Sequence, residues 1–498
     1  MPAYYLAISS LCDDYVKNML KNNVQSVIIE SSRDIFMGVV MANSSTKKWW
    51  KNAIIYQIYP GSFCDSNGDG IGDISGIISK LHYLKEFGVD AIWLGPVFAS
   101  PNAVDGYDIS DYKSINPDFG TMEDMEKLIS RAKRLGMKII MDLVINNTSD
   151  EHIWFKKALE GNPKYREYYY FRPGKGRKAP NNWDSLNGGK AWSKTANGDY
   201  YLHLYGEKQP DLNWSNPDVF NEIADVMRFW LDKGIAGFRC DAINILYKNN
   251  LDDGKLHLSC IGKEHYLNSE GGHDLLNRLN QEVWSKYKSF IVGDTVFVTP
   301  EDAKLLSDEN RKEMDAILSF EHKSEENKVA WGINKFCQPS KFIRTLDKWQ
   351  EALEVPANYM ENYDYKSIVK SNGRYSEKTA KLLCGINLSL KGVAFINAIA
   401  ETKDKNDILS FYKKMIEFRK GSQALAEGTY RRVASPSDVY VFTRESIDER
   451  LYVYCNLTPF NRSVEFYGDR IVLANYDEEE RENQYLKPYE FRIVASNI

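Results

Sequence analysis

Gly237-Phe238-Arg239-Cys240-Asp241 closes an apolar segment that begins at residue 234 and sets a carboxylate two residues after a guanidinium. Side chains alternate faces along a strand, so Arg239 and Asp241 point the same way and Cys240 points into the opposite layer. An Arg beside a carboxylate lowers its pKa and keeps it ionised, which suits a nucleophile rather than a proton donor. Alone, the pentapeptide is equally compatible with a structural ion pair at a strand end. A second cluster, Asp65-Ser66-Asn67-Gly68-Asp69-Gly70-Ile71-Gly72-Asp73, carries carboxylates and an amide at alternate positions, with glycines for a sharp turn. Hard oxygens of this kind suit Ca²⁺, with Asp65, Asn67, Asp69, Ile71 and Asp73 as the candidate ligands. An EF-hand loop would need Glu at its twelfth position, where this chain has Gly76, so the loop is of another kind. A metal-free polar turn is the alternative, and an ion here would hold the fold together without taking part in chemistry.

Elements to position these residues are visible along the chain. Apolar runs at 53–59, 89–94, 137–144, 235–239, 289–293, 314–320, 355–360 and 392–397 read as strands. Between most of them lie segments with apolar residues three and four apart, such as 74–87, 122–135 and 219–233. Eight strands separated by helices predict an α/β protein built on a (β/α)8 TIM barrel. Residues 147–216, rich in Gly, Asn, Trp and Tyr, are too long for a loop and predict a subdomain inserted after strand 3. From 423 to 498 the pattern becomes β alternation, including a run at 463–466, which predicts a C-terminal antiparallel β-sandwich. The barrel then occupies 47–146 and 217–422, and residues 1–46 form an N-terminal appendage without an assigned role.

Composition narrows the function classes. The formal net charge is −5 and 43% of residues are hydrophobic, and no basic block interleaves with aromatics, so neither nucleic acid nor a membrane is an expected partner. Seven cysteines are scattered singly, which reads as free thiols in a reducing, cytoplasmic compartment. His152 reads as a packing residue of the inserted subdomain.

With barrel, insertion and C-terminal domain in place, the local sequences resemble the α-amylase superfamily of glycoside hydrolases, and within it the oligo-1,6-glucosidase and α-glucosidase members. The likeness rests on residues 49–60, Asp105-Gly106-Tyr107-Asp108-Ile109, Asp142-Leu143-Val144-Ile145-Asn146, the Gly237–Asp241 run and Glu361-Asn362-Tyr363-Asp364. The resemblance implies that Asp241 is the nucleophile, with Arg239 holding it charged, and that Asp364 stabilises the distorted sugar. It implies that Tyr107 stacks under the sugar at the cleavage site while Asp108 grips its hydroxyls. It also implies retaining chemistry on short α-linked gluco-oligosaccharides, and it likens the Asp65–Asp73 loop to a structural calcium site.

Four departures bear on activity. The family's general acid is Glu, and the matching run Ile291-Val292-Gly293-Asp294 carries Asp, shorter by about 1.5 Å. Two site histidines are replaced by Asn147 and Tyr363. The segment between strand 8 and the next helix is short, leaving no place for the family's Arg. Two readings therefore stand: a slow hydrolase in which Asp241, Asp294 and Asp364 act, or a catalytically inactive relative that binds carbohydrate or a protein partner.

Overall fold

A computed structural model describes residues 48–257, 260–324, 338–360, 376–397 and 405–496; the appendage expected at 1–46 lies outside them. Eight parallel strands close a barrel: β1 (Ile54–Ile58), β2 (Ala91–Leu94), β3 (Lys138–Val144), β4 (Gly237–Asp241), β5 (Phe290–Asp294), β6 (Ala316–Leu318), β7 (Ala357–Tyr359) and β8 (Val393–Ile396). Each lies beside its neighbours in sequence, and β1 closes on β8 with Ile54 beside Ala394. The intervening helices are α1 (Ile74–Phe87), α2 (Met122–Arg134), α3 (Pro217–Asp232), α4 (Glu270–Leu279), α5 (Pro300–Ser307), α6 (Pro339–Ala352), α7 (Ser376–Ser389) and α8 (Lys405–Gly421). Strands buried on both faces need continuous apolar sequence, and all five residues of β1 and all four of β2 are buried. In α2, Thr121 and Asp124 form a reciprocal capping box, and Met125, Leu128, Ile129 and Ala132 make one buried stripe.

Gly237 is required where it stands. Its φ is 150°, and a Cβ there would come 1.8 Å from the Phe290 carbonyl oxygen, so any side chain would push β4 away from β5. The two strands that carry Asp241 and Asp294 can therefore approach closely.

The insertion carries a three-stranded antiparallel sheet, in which Tyr200–Leu202 lies between Phe171–Arg172 and Trp192–Lys194. It is joined to the barrel by a buried ion pair. Lys248 Nζ lies 2.7 Å from an Asp211 oxygen and 2.9 Å from Asn146 Oδ1, and the side chains of Lys248 and Asp211 are fully buried.

The C-terminal domain differs from the expected sandwich. Strands β9 (Thr429–Arg432), β10 (Val439–Glu445), β11 (Arg450–Asn456), β12 (Arg470–Ala474) and β13 (Phe491–Ser496) form one sheet in the order β9-β10-β11-β13-β12. Residues 463–466 are not a strand. Val464 and Phe466 instead cover one face of the sheet, against Val439, Val441 and Tyr454. The other face joins the main core through Tyr440, Phe442, Val453 and Ile493. Irregular chain supplies the second layer, and alternation alone does not distinguish such chain from a strand.

Two buried arginines seal this junction. Arg419 in α8 donates to the carbonyls of Leu388, Leu390 and Gly392, and Arg444 in β10 donates to those of Ser389, Leu425 and Gly428. Burial pulls Arg419 down to about 10, and burial together with the charge of Arg419 pulls Arg444 down to about 9.

Candidate active site

Arg239 is the hub of the barrel mouth. Its guanidinium lies 2.6 Å from Asp142 Oδ1 and 2.9 Å from Asp241 Oδ1, and it also pairs with Asp294 through its second terminal nitrogen. Strand register produces this arrangement. Arg239 lies beside Asp142 on β3 and Val292 on β5, and the pairing of Gly293 with Cys240 brings Asp294 level with Asp241. The rings of Trp93 and Tyr107 flank the guanidinium, with centroids 5.4 and 5.9 Å from its carbon. The Asp142 side chain is fully buried, whereas those of Asp241 and Asp294 keep 18% and 16% of their exposure. A substrate can therefore reach the latter two and not the first. Asp241 and Asp294 end their strands, at the carboxyl ends where barrel enzymes place their chemistry.

Three carboxylates around one guanidinium leave the cluster two charges negative when all are ionised. Burial raises Asp241 to about 7; Arg239 opposes this, and the charges of Asp294 and Asp142 add to it. Arg239 thus lowers Asp241 as expected, but burial outweighs a cation that Asp294 and Asp142 also share. Burial also raises Asp142, again against Arg239. Burial and then Asp142 push the Tyr107 phenol well up, and its hydroxyl donates to Asp142 Oδ2 at 3.1 Å.

Other expected residues are placed less simply. Asp108 is fully buried, and its oxygens accept from the Ser100 hydroxyl and the amides of Ala103 and Val104, all at 3.0 Å. Its carboxylate thus organises the 100–104 loop and is not presented to a sugar. Asn147 is buried and donates weakly to the Tyr107 carbonyl at 3.4 Å, while its Oδ1 has no hydrogen-bond partner among the described residues. Asp364 and Tyr363 lie outside the described residues, as does the segment 398–404. Cys240 is buried in the main core, on the face away from Arg239. His152 packs as expected: its ring centroid is 4.3 Å from that of Trp154, and burial lowers it to about 4.

Two participants were not singled out from sequence. Asp142 lay in a quoted motif without a role, yet a charge within the buried strand Lys-Ile-Ile-Met-Asp-Leu-Val was its signal. Tyr205, from the inserted subdomain, packs with the cluster that contains Ala242; burial and the charges of Asp241 and Asp294 push its phenol well up.

The 65–73 loop is closed by its own hydrogen bonds. Asp65 accepts from the amides of Asn67, Gly68 and Gly70 at 3.0, 2.7 and 2.8 Å. Asn67 Oδ1 accepts from Asp69 N at 2.9 Å, and Asp69 accepts from Ile71 N at 2.7 Å. Asp73 accepts from Ser66 and caps α1 through Gly76 N at 2.6 Å. The amides of Gly68 and Gly70 draw Asp65 below the usual carboxylate range, which favours its charged form. The donor set is hard oxygen and suits Ca²⁺, but among the described residues no three acidic or imidazole side chains converge as a preformed cage.

Residues 57–398 match the family of the α-amylase catalytic domain. The chain belongs to the α-amylase family. Among its relatives are an oligo-1,6-glucosidase of Parageobacillus thermoglucosidasius, 35% identical over 90% of this chain and 99% of that one, and an α-glucosidase of Pediococcus pentosaceus, 42% identical over 71% and 66%. A trehalose-6-phosphate hydrolase of Bacillus licheniformis superposes with a TM-score of 0.82 at 30% identity, covering 90% of this chain and all of that one. The eight-stranded barrel with an insertion after β3 is thus an α-amylase-family barrel, and Arg239 with its acids occupies the mouth of that barrel.

Proposed function

We propose that this α-amylase-family protein is an α-glucosidase-type hydrolase that cleaves short α-linked gluco-oligosaccharides with retention. The observation that carries the reading is the convergence of the reachable acids Asp241 and Asp294 on Arg239. Asp241 attacks the anomeric carbon as that carbon's bond to the leaving oxygen breaks. The bonding pair passes to that oxygen, which Asp294 protonates. Water, deprotonated by Asp294, then displaces Asp241. Tyr107 packs beneath the ring, and Asp364 and Tyr363 keep the roles implied by the family. Asp294 must leave Arg239 to reach the leaving oxygen, so turnover of ordinary glycosides is slow. That same ion pair supports a second reading, a carbohydrate or protein binder without turnover.

An activated aryl α-glucoside separates the two, because its leaving group needs no acid. The hydrolase is expected to give a stoichiometric burst and a glucosyl adduct on Asp241. Its kcat/KM should rise as the pH passes through about 7, because Asp241 must lose its proton to attack. No turnover at any pH sinks the hydrolase.

For the 65–73 loop the reading is a structural Ca²⁺ held by Asp65, Asn67, Asp69, Ile71 and Asp73, supported by its oxygen donor set. When bound, the ion supplies stability and no step of the reaction. Ca²⁺ at 100 times its Kd should stabilise the protein by about 2.7 kcal/mol. Thermal melts with and without chelator should show this, and Asp65→Ala should remove the difference. Identical melts would make the loop a metal-free turn. Cytoplasmic residence is supported by Cys64, Cys240, Cys260 and Cys455, which stand as free thiols.

A further inference from the structure

The chain leaves β5 at Asp294 and passes through Thr295, Val296, Phe297 and Val298 before α5. Asn244, three residues beyond Asp241, grips this segment. Its Oδ1 accepts from Val296 N at 2.9 Å and its Nδ2 donates to Val296 O at 2.8 Å. Val296 packs into the apolar cluster that contains Ala242, and Val298 packs into the main core. Between these two anchors Phe297 adopts φ 51° and leaves 57% of its surface exposed. The Lys263 ammonium, on the connection that follows β4, lies 5.8 Å from the centre of its ring.

The backbone angle and the exposure of Phe297 both work against stability. A bulky residue in the left-handed region is a steric outlier that glycine would relieve, and an exposed aromatic ring gains nothing from burial. Strain of this kind concentrates where a ligand is clamped. The ring stands between two loops at the carboxyl ends of β4 and β5, the strands that carry Asp241 and Asp294. An acid that protonates the leaving oxygen must face the leaving group, and Phe297 follows that acid by three residues.

We infer that Phe297 is an aglycone platform: its ring stacks on the apolar C–H face of the sugar, or on the aryl ring, attached to the leaving oxygen. The inference rests on the hydrolase reading and extends it to substrate specificity. Lys263 fixes the ring from one side and offers its ammonium to hydroxyls of the same unit.

The test compares wild type with Phe297→Gly and Phe297→Ala on isomaltose and on α-glucosyl fluoride, whose leaving group has no ring. The ratio of kcat/KM for isomaltose to that for the fluoride should fall about tenfold in both variants, roughly 1.4 kcal/mol of lost aglycone binding. The melting temperature of Phe297→Gly should rise, opposite to what a structural aromatic would give. A ratio unchanged within about twofold overturns the platform. If wild type turns over neither substrate, the hydrolase reading fails separately, and calorimetric binding of isomaltose still decides the platform. About tenfold weaker binding by Phe297→Gly then supports it, and equal or absent binding by both proteins overturns it.

Discussion

Asp294→Glu is expected to raise kcat/KM on isomaltose by about 100-fold and to change hydrolysis of an activated aryl α-glucoside by only about threefold or less. A carboxyl group one methylene further out gains about 1.5 Å of reach. A displacement of about 1 Å in a reacting group is worth roughly 100-fold in rate. In this chain the shorter side chain also pairs with Arg239 and must release it to reach a leaving oxygen. A substrate whose leaving group departs unaided does not sense this, so the contrast between the two substrates isolates the proton transfer. Equal gains on both would mean that the longer side chain acts on the pocket as a whole, and the assignment of Asp294 as acid would fall.

Removing the hub should damage the fold more than any other change at the mouth. In Arg239→Met the carboxylates of Asp142, Asp241 and Asp294 lose the cation they share. Deleting one member of a buried ion pair costs about 3–5 kcal/mol. The loss should depend on pH, with a definite sign. Arg239 lowers Asp142 and Asp241 against the raising effect of burial, so without it both rise further above the ordinary value of 3.8. An acid raised in the folded state contributes its full stability below its unfolded pKa and loses it as the pH climbs through the folded value. The deficit should therefore be smallest near pH 4 and largest above about 7. Urea denaturation at both ends of that range measures it. A deficit independent of pH would show that Arg239 acts by packing between Trp93 and Tyr107 and not as a counter-ion.

Much of the barrel was legible because its signal is local and redundant. The runs expected at 53–59 and 137–144 settle as Ile54–Ile58 and Lys138–Val144, since a strand covered on both faces must be apolar throughout. The runs at 314–320 and 355–360 shrink to Ala316–Leu318 and Ala357–Tyr359, where the ladder between β6 and β7 rests on the single pair Leu318 and Ala357. Sequence cannot display how many rungs two distant segments share. The candidate site divides in the same way. Arg239 and Asp241 sit on one strand, and alternation alone puts them on one face. The high value of Asp241 depends first on its burial and then on Asp294 and Asp142, brought in from neighbouring strands, so the sign of its shift was out of reach of any local rule. Asp108 was misplaced for a similar reason: nothing in Gly-Tyr-Asp reveals that amides five and four residues upstream close on that carboxylate.

Arg444 carries a consequence for how the molecule comes apart. It reaches from β10 to the Ser389 carbonyl at the end of α7, and its second terminal nitrogen holds the chain that leads into the sheet. Prising the sheet from the barrel would strand a cation and several carbonyls in apolar surroundings at once, which no intermediate tolerates cheaply. The last domain is accordingly a bolt across the closing helices of the barrel and not a detachable cap, and on heating the two should melt in a single transition.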